Sequence, residues 1–186
     1  SEAQTKMGNA LNLLMNGNVF LYYGEELGMK GSGKDENKRA PMYWSKDGNA
    51  EGMCKGPADM DDFRMKFDSL EEQQEDPDSI YNYVKQVIRV RNQNPVIARG
   101  TTAYLEQYSG EQCFAMTRSD ENSSLLMLGN TSAETATVDL SGLTIGKTAA
   151  EELVLLGELY TGEETAERAG TVVTLPAYSI LILGEE

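Results

Sequence analysis

The chain contains no histidine. That excludes a Ser-His-Asp triad, an H-E-x-x-H zinc site and imidazole ligation of a metal. Cysteine is nearly absent too: Cys54 and Cys113 are the only two in 186 residues. They do not form a metal-ligand spacing, and they allow either one bridge or two free thiols. The redox compartment therefore stays open. Long apolar runs are missing. Nothing approaches the ~18 consecutive apolar residues of a membrane span, so no membrane partner is expected. The polar opening "SEAQTKMGN" does not read as a signal peptide. Basic residues are scarce, 16 Lys and Arg against 30 Asp and Glu, for a formal net charge of -14. Nucleic acid is bound by concentrated positive charge, so it is not an expected partner. The charge suits a neutral ligand, although solubility alone accounts for it.

Up to about residue 99 the sequence has α/β grammar. Ala3, Met7, Ala10, Leu11 and Leu14 recur at helical spacing and predict an amphipathic helix over 3–15, stopped by Gly17. "VFLYY", residues 19–23, is apolar at every position, the pattern of a strand buried on both faces in a parallel sheet. No regular element is expected from Gly24 to about Ser79, far beyond the ~12–15 residues at which structureless loops become uncommon. The large apolar groups of "PMYW" and "DDFRMKF" point to an ordered, folded-over loop. Ile80, Tyr83, Val84, Val87 and Ile88 then mark a second helix that ends at Pro95. Asp76 and Asp78 precede it, where negative charge suits the positive helix end. From about Gly100 short runs alternate with turn residues: "TAYLEQY", "CFAMTR", "LLMLGN", "ATVDL", "TVVTL", "YSILILG". That spacing predicts an all-β sandwich or Greek-key barrel. The division is therefore 1–99 and 100–186.

Two motif-like stretches weaken on inspection. "GMKGSGKD" follows an apolar run and ends in Gly33-Lys34, as a phosphate-binding loop begins. Such a loop needs Ser or Thr after the Lys to hold magnesium, and a helix whose free N–H groups bind the anion. Here Asp35 follows, and its carboxylate repels phosphate at short range. Pro41 disfavours helix at Ala40. A nucleotide-binding protein is thus a weak alternative. "DGNAEG", residues 47–52, imitates a calcium loop, but Ala58 stands where the bidentate Glu belongs. "ADMDD", residues 58–62, reads as a solvated acidic patch.

"GNVFLYYGEELGM" followed by "DENKRAPMYW" resembles the end of the catalytic barrel in the α-amylase family of glycoside hydrolases. There the eighth strand carries G-x-P-F-x-Y-Y-G-E-E-x-G-M and its loop D-x-x-x-R-x-P-M-x-W. One departure is Asn18-Val19, where the family often has Thr-Pro. "DSLEEQQEDPDSIYNYVKQVIRVRNQNPVIARG" looks like the segment that follows, including the last barrel helix. "VDLSGL" and "LPAYSILIL" look like strands of the family's C-terminal β-sandwich. The resemblance implies a mixed fold: a partial (β/α)8-barrel remnant over 1–99, then an all-β Greek-key sandwich over 100–186. It also implies a C-terminal fragment of a retaining hydrolase of α-glucans such as starch and maltooligosaccharides. In that family a carboxylate nucleophile and a carboxylic acid stand about 5–5.5 Å apart. They and a third acidic residue follow the fourth, fifth and seventh strands, so the resemblance puts all three upstream of Ser1. The fragment is then expected to be inactive alone.

By the same resemblance Asp35 and Arg39 are the substrate-binding residues. A carboxylate accepts from sugar hydroxyls and a guanidinium fork donates to them. The alternative is a salt bridge that only pins the loop. Glu25 and Glu26 are neighbours that point apart on a strand end, which suits loop hydrogen bonds better than a catalytic dyad. Tyr22 and Tyr23 are expected to point to opposite sides for the same reason; Trp44 could stack on a sugar ring, and anchoring the loop in the core is the favoured reading. No cofactor is expected, although the resemblance allows calcium in the parent. The fragment is expected either to self-associate through residues 3–24 or to hold them less firmly than the β domain, because a strand cut from its barrel presents an edge and bare apolar faces. Relatives acting on long extracellular substrates are often secreted, but these residues do not fix the location. A carbohydrate-binding module is the rival reading. It would need exposed aromatics, and the β region offers only Tyr104, Tyr108, Phe114, Tyr160 and Tyr178.

Overall fold

A computed structural model describes residues 1–185, with four helices packed on antiparallel sheets. Helix α1, Glu2–Leu13, opens on a capping box in which Ser1 Oγ accepts the Gln4 N–H at 3.2 Å. Its buried face carries Met7, Ala10 and Leu13. Helix α2, Leu70–Glu75, is a short turn with a second capping box between Ser69 and Glu72. Helix α3, Ile80–Gln93, is capped by Ser79 and buries Ile80, Tyr83, Val84, Val87 and Val90. Ile88, expected on that face, is 36% exposed. It lies at the edge of the apolar stripe, where the 3.6-residue period carries it away from the core. After Pro95 comes α4, Val96–Arg99.

Ten strands follow: β1 Thr101–Tyr104, β2 Cys113–Ser119, β3 Ser124–Asn130, β4 Ala136–Asp139, β5 Thr144–Ile145, β6 Thr148–Ala149, β7 Val154–Leu159, β8 Glu167–Ala169, β9 Val172–Leu175 and β10 Ser179–Gly184. They form one sheet in the order β1-β2-β3-β10-β7, a second in the order β4-β9-β8, and a β5-β6 hairpin. Every pairing is antiparallel.

The five-stranded sheet is the centre of the molecule. Side chains alternate across it with a period of two. Leu125 and Met127 of β3 and Ile180 and Ile182 of β10 face one way and pack with α1 and α3. Leu126, Leu128, Leu181 and Leu183 face the other way and pack with Val138, Val173 and Leu175 of the second sheet. Both faces are covered, which is why "LLMLGN" and "SILILG" read as unbroken apolar runs. Gly129 of β3 is needed because the Phe114 ring lies across it, leaving no room for a Cβ.

The expected strand at 19–23 is not formed. Residues 18–22 take no regular structure, and Phe20 is 84% exposed. A strand exists by hydrogen bonding to neighbours, and the described residues provide none beside it. One side-chain bond, Asn12 Nδ2 to the Phe20 carbonyl at 3.0 Å, holds the segment against α1. There is accordingly neither a parallel sheet nor a closed barrel among the described residues. No described helix is long and apolar enough to cross a membrane.

Candidate functional site

The site grows from the turn that follows Tyr23. Gly24 adopts φ +86° and Gly28 φ +65°, left-handed conformations in which a Cβ would be strained. Between them Glu25–Leu27 makes one 3-10 turn. Its two carboxylates serve backbone: Glu25 Oε2 accepts the Tyr22 N–H at 3.1 Å, and Glu26 Oε2 the Gly24 N–H at 2.8 Å. Leu27 is buried beneath. Its carbonyl accepts from Gln73 Nε2 at 3.0 Å, so α2 is a clamp on the turn.

A second 3-10 turn, Asp35–Arg39, ends at Ala40 before Pro41. Sequence reasoning placed no helix here, and this single turn is all that Pro41 permits. Asn37, at its centre, is 4% exposed. Its amide donates to the Ser32 carbonyl and to Asp61 Oδ2, both at 2.8 Å, while its oxygen accepts the Asp61 N–H at 3.0 Å. Lys34 Nζ meets Asp61 Oδ1 at 2.8 Å. Asn37 first and Lys34 after it hold the Asp61 carboxyl below its usual range. Lys34, the apparent phosphate-loop lysine, thus fastens the loop. The strand-loop-helix order of a phosphate site is not formed by residues 19–40.

Between the two turns lies an open cleft of about 490 Å³, lined by Tyr22, Tyr23, Met29, Lys30, Asn37 and Lys38 among others. Tyr22 and Tyr23 do not diverge. Their ring centroids are 4.8 Å apart and tilted by 41°. Neighbours point oppositely only in a strand, and this segment is not one. Tyr23 Oη donates to the Ala40 carbonyl at 2.9 Å, tying the cleft wall to the second turn. Trp44 is 43% exposed, so it does not anchor the core. The loop runs over the surface, and small or polar buried groups anchor it instead: Asn37, Ala40, Ser45, Ser69 and Gln73.

Asp35 and Arg39 stand on the outer side of the second turn and do not pair with each other. Asp35 meets Lys38 at 3.0 Å, which holds its carboxyl below the usual range, with its side chain 82% exposed. Arg39 Nη2 reaches Glu36 at 3.5 Å, and its Nε the Asp35 carbonyl at 3.4 Å. Both side chains face solvent, and neither lines the cleft. Cys54 and Cys113 are free, one exposed and one buried. Among the described residues no group of three or more His, Cys, Asp or Glu could hold a metal ion. A larger groove, about 930 Å³, lies between the end of α3 and the β2–β3 and β5–β6 turns. Its carboxylates close turns: Asp120 accepts from the Asn122 and Ser123 N–H groups, and Glu185 from the Lys147 N–H.

The family model for the alpha-amylase catalytic domain matches residues 1–100, which include both turns and the cleft. The chain belongs to the alpha-amylase family. This alpha-amylase-family chain is 42% identical to Eubacterium rectale Amy13B, with a TM-score of 0.92 over its whole length and 35% of that chain. It is 25% identical to the alpha-amylase from H. orenii, with a TM-score of 0.75, again over its whole length and 36% of that chain. The cyclomaltodextrinase of Geobacillus thermopakistaniensis is 27% identical over 175 residues, 94% of this chain and 24% of that protein. Alpha-amylase 3 of Dictyoglomus thermophilum is 30% identical over 94 residues, 50% of this chain and 19% of that protein. The chain therefore spans about a quarter or less of these curated relatives.

Proposed function

We propose that this chain is the C-terminal portion of a retaining glycoside hydrolase acting on α-glucans such as starch and maltooligosaccharides. The observation that carries this is the catalytic-domain match over residues 1–100, which takes in the cleft. In this reading α1, the 19–23 segment, the loop and α3 are the last part of a (β/α)8 barrel. Residues from about 100 form a stabilising Greek-key sandwich. The nucleophile, the acid and the third carboxylate belong to preceding sequence, so the 186 residues alone hydrolyse nothing. The exposed apolar strip of Leu11, Met15, Phe20, Leu21 and Tyr22 supports this. It is where the rest of a barrel would pack, and where copies of the isolated chain would associate. A sugar-binding role for the β region has less support. Tyr104 is exposed at 58%, but Tyr108 is buried and the other aromatics are half-buried.

Asp35 and Arg39 are the proposed glucan contacts. Both are exposed on the turn whose Asn37, Lys38 and Ala40 line the cleft, Asp35 paired with Lys38 and Arg39 with Glu36. The test is kcat/KM on maltooligosaccharides of increasing length, measured on the longer protein beside melting curves. Arg39→Ala is expected to cost about 1–3 kcal/mol in kcat/KM, as is Asp35→Ala, through loss of a charged hydrogen bond. Because Arg39 Nε bonds the Asp35 carbonyl on the same turn, the double variant is expected to cost less than the sum of the singles. Lys34→Ala, which loosens the loop only through Asp61, is expected to leave the intrinsic preference for chain length unchanged. If Arg39→Ala lowers the melting temperature and leaves kcat/KM intact, the residue only pins the turn.

A further inference from the structure

Methionine is concentrated in the long loop. Five of the nine methionines fall within it: Met29, Met42, Met53, Met60 and Met65. All five are half-buried. Met29 lies over Gly24 so closely that no Cβ fits there. A Cβ on Gly56 would be 2.7 Å from Met60 Sδ and 3.2 Å from Pro41. Met65 Sδ accepts the Lys30 N–H at 3.4 Å, and Met53 Sδ the Ser45 hydroxyl at 3.8 Å. The core methionines differ: Met7 is 4% and Met127 2% exposed. A half-buried thioether is within reach of a small oxidant and is also committed to a contact, and that combination makes oxidation consequential.

We infer that Met29 and Met60 are oxidative modification sites at which a peroxide-class oxidant releases this loop. The thioether sulfur attacks one peroxide oxygen. The O–O bond breaks, an S–O bond forms, sulfur loses two electrons, and hydrogen peroxide leaves as water. The new oxygen is polar and needs space. Met29 packs on Gly24 at the edge of the cleft, so a polar sulfoxide there weakens the apolar contact that holds the 24–28 turn. That turn adjoins the Met29 and Tyr23 walls of the cleft. At Met60 the same change weakens the packing of its sulfur on Gly56, close to Pro41 at the end of the second turn. Met15, 55% exposed beyond α1, is an internal control: it reacts readily but packs against neither turn.

The experiment treats the full 186-residue chain with graded hydrogen peroxide, locates sulfoxides by peptide mass spectrometry, and follows amide exchange over 24–68. Met15, Met29 and Met60 are expected to convert before Met7 and Met127. As Met29 and Met60 convert, exchange over 24–45 is expected to rise by about tenfold or more. A Met29→Leu/Met60→Leu variant is expected to keep slow exchange at the same dose, and methionine sulfoxide reductases to reverse the change in the native chain. If the double variant loosens the loop before oxidation, the two single variants are compared instead, each expected to lose part of the response. Unchanged exchange with both sulfurs converted would overturn the inference. So would an equal rise in the leucine variants, or resistance of Met29 and Met60 until the core methionines react. None of these outcomes depends on what the cleft binds.

Discussion

Asn37 is the residue on which the site's geometry turns. It bridges Ser32 and both sides of Asp61 while buried at the centre of the second 3-10 turn. Removing its amide leaves the Ser32 carbonyl and the Asp61 N–H without their partner. Asn37→Ala is therefore expected to cost about 1–3 kcal/mol, felt locally as faster amide exchange at 31–39 and at Asp61. Unchanged exchange there would mean that other contacts hold the turn. The sequence shows Asn37 only as an x within D-x-x-x-R. The motif marks the outward residues, and nothing local says which intervening side chain turns inward. The two adjacent tyrosines show the same limit, since their directions follow from a strand that is not formed. The acids around the loop also set its pH response. Asn37 and then Lys34 lower Asp61 from 3.8, and the Ser69 side chain and backbone, then Lys46, lower Glu72 from 4.5. A depressed carboxylate contributes stability above its unfolded value, and that contribution is lost as pH falls through the folded one. The loop is thus expected to loosen progressively below about pH 4.5 while holding constant from pH 5 to 8. Proteolysis over 24–75 against pH checks this, and loosening on the alkaline side instead would contradict it.

Element by element, the two long helices and the strands of the β region were legible, and the strand expected at 19–23 was not formed. Apolar spacing located α1 and α3 because each buries one stripe. The rule that an unbroken apolar run means a strand covered on both faces is physically sound, and β3 and β10 obey it. It fails for "VFLYY" because covering depends on neighbours that a local pattern does not contain. The short α2 clamp was missed because six residues carry too little periodicity. At the C-terminal end of α1 the guanidinium of Arg91 donates to the carbonyls of Leu13, Met15 and Gly17 at 2.5–2.8 Å. Arg118 reaches the Leu14 carbonyl, and burial lowers the pKa of both arginines. Positive charge at a helix C-terminus is stabilising, and the fork geometry is specific to Arg. Arg91→Ala is expected to cost about 2 kcal/mol and about 4–8 °C in Tm, for a chain of this size. Arg91→Lys is expected to recover only part. A melting curve unmoved by Arg91→Ala would show that α1 is held by its apolar face alone.

At the scale of the whole molecule, one sheet carries two cores, and α1 and α3 share the first with β3 and β10. The change of grammar near residue 100 is real in the sequence, yet the hydrophobic core runs across it. Sequence periodicity sees where elements change and cannot see which of them share a core. Family membership was legible because long motifs, "FLYYGEELGM" and "DENKRAPMYW", survive intact. What the cleft binds was not legible from the residues themselves, because its polar groups become a site only in the assembled fold. The central claim is that these residues form the substrate-facing end of an α-glucan hydrolase whose reacting carboxylates lie in preceding sequence. The most direct measurement is the release of reducing sugar from maltoheptaose by the 186-residue chain and by the longer protein that includes that sequence. Release by the longer protein and none by the 186 residues is the result predicted. Release by the 186 residues alone, or none by the longer protein, would contradict it.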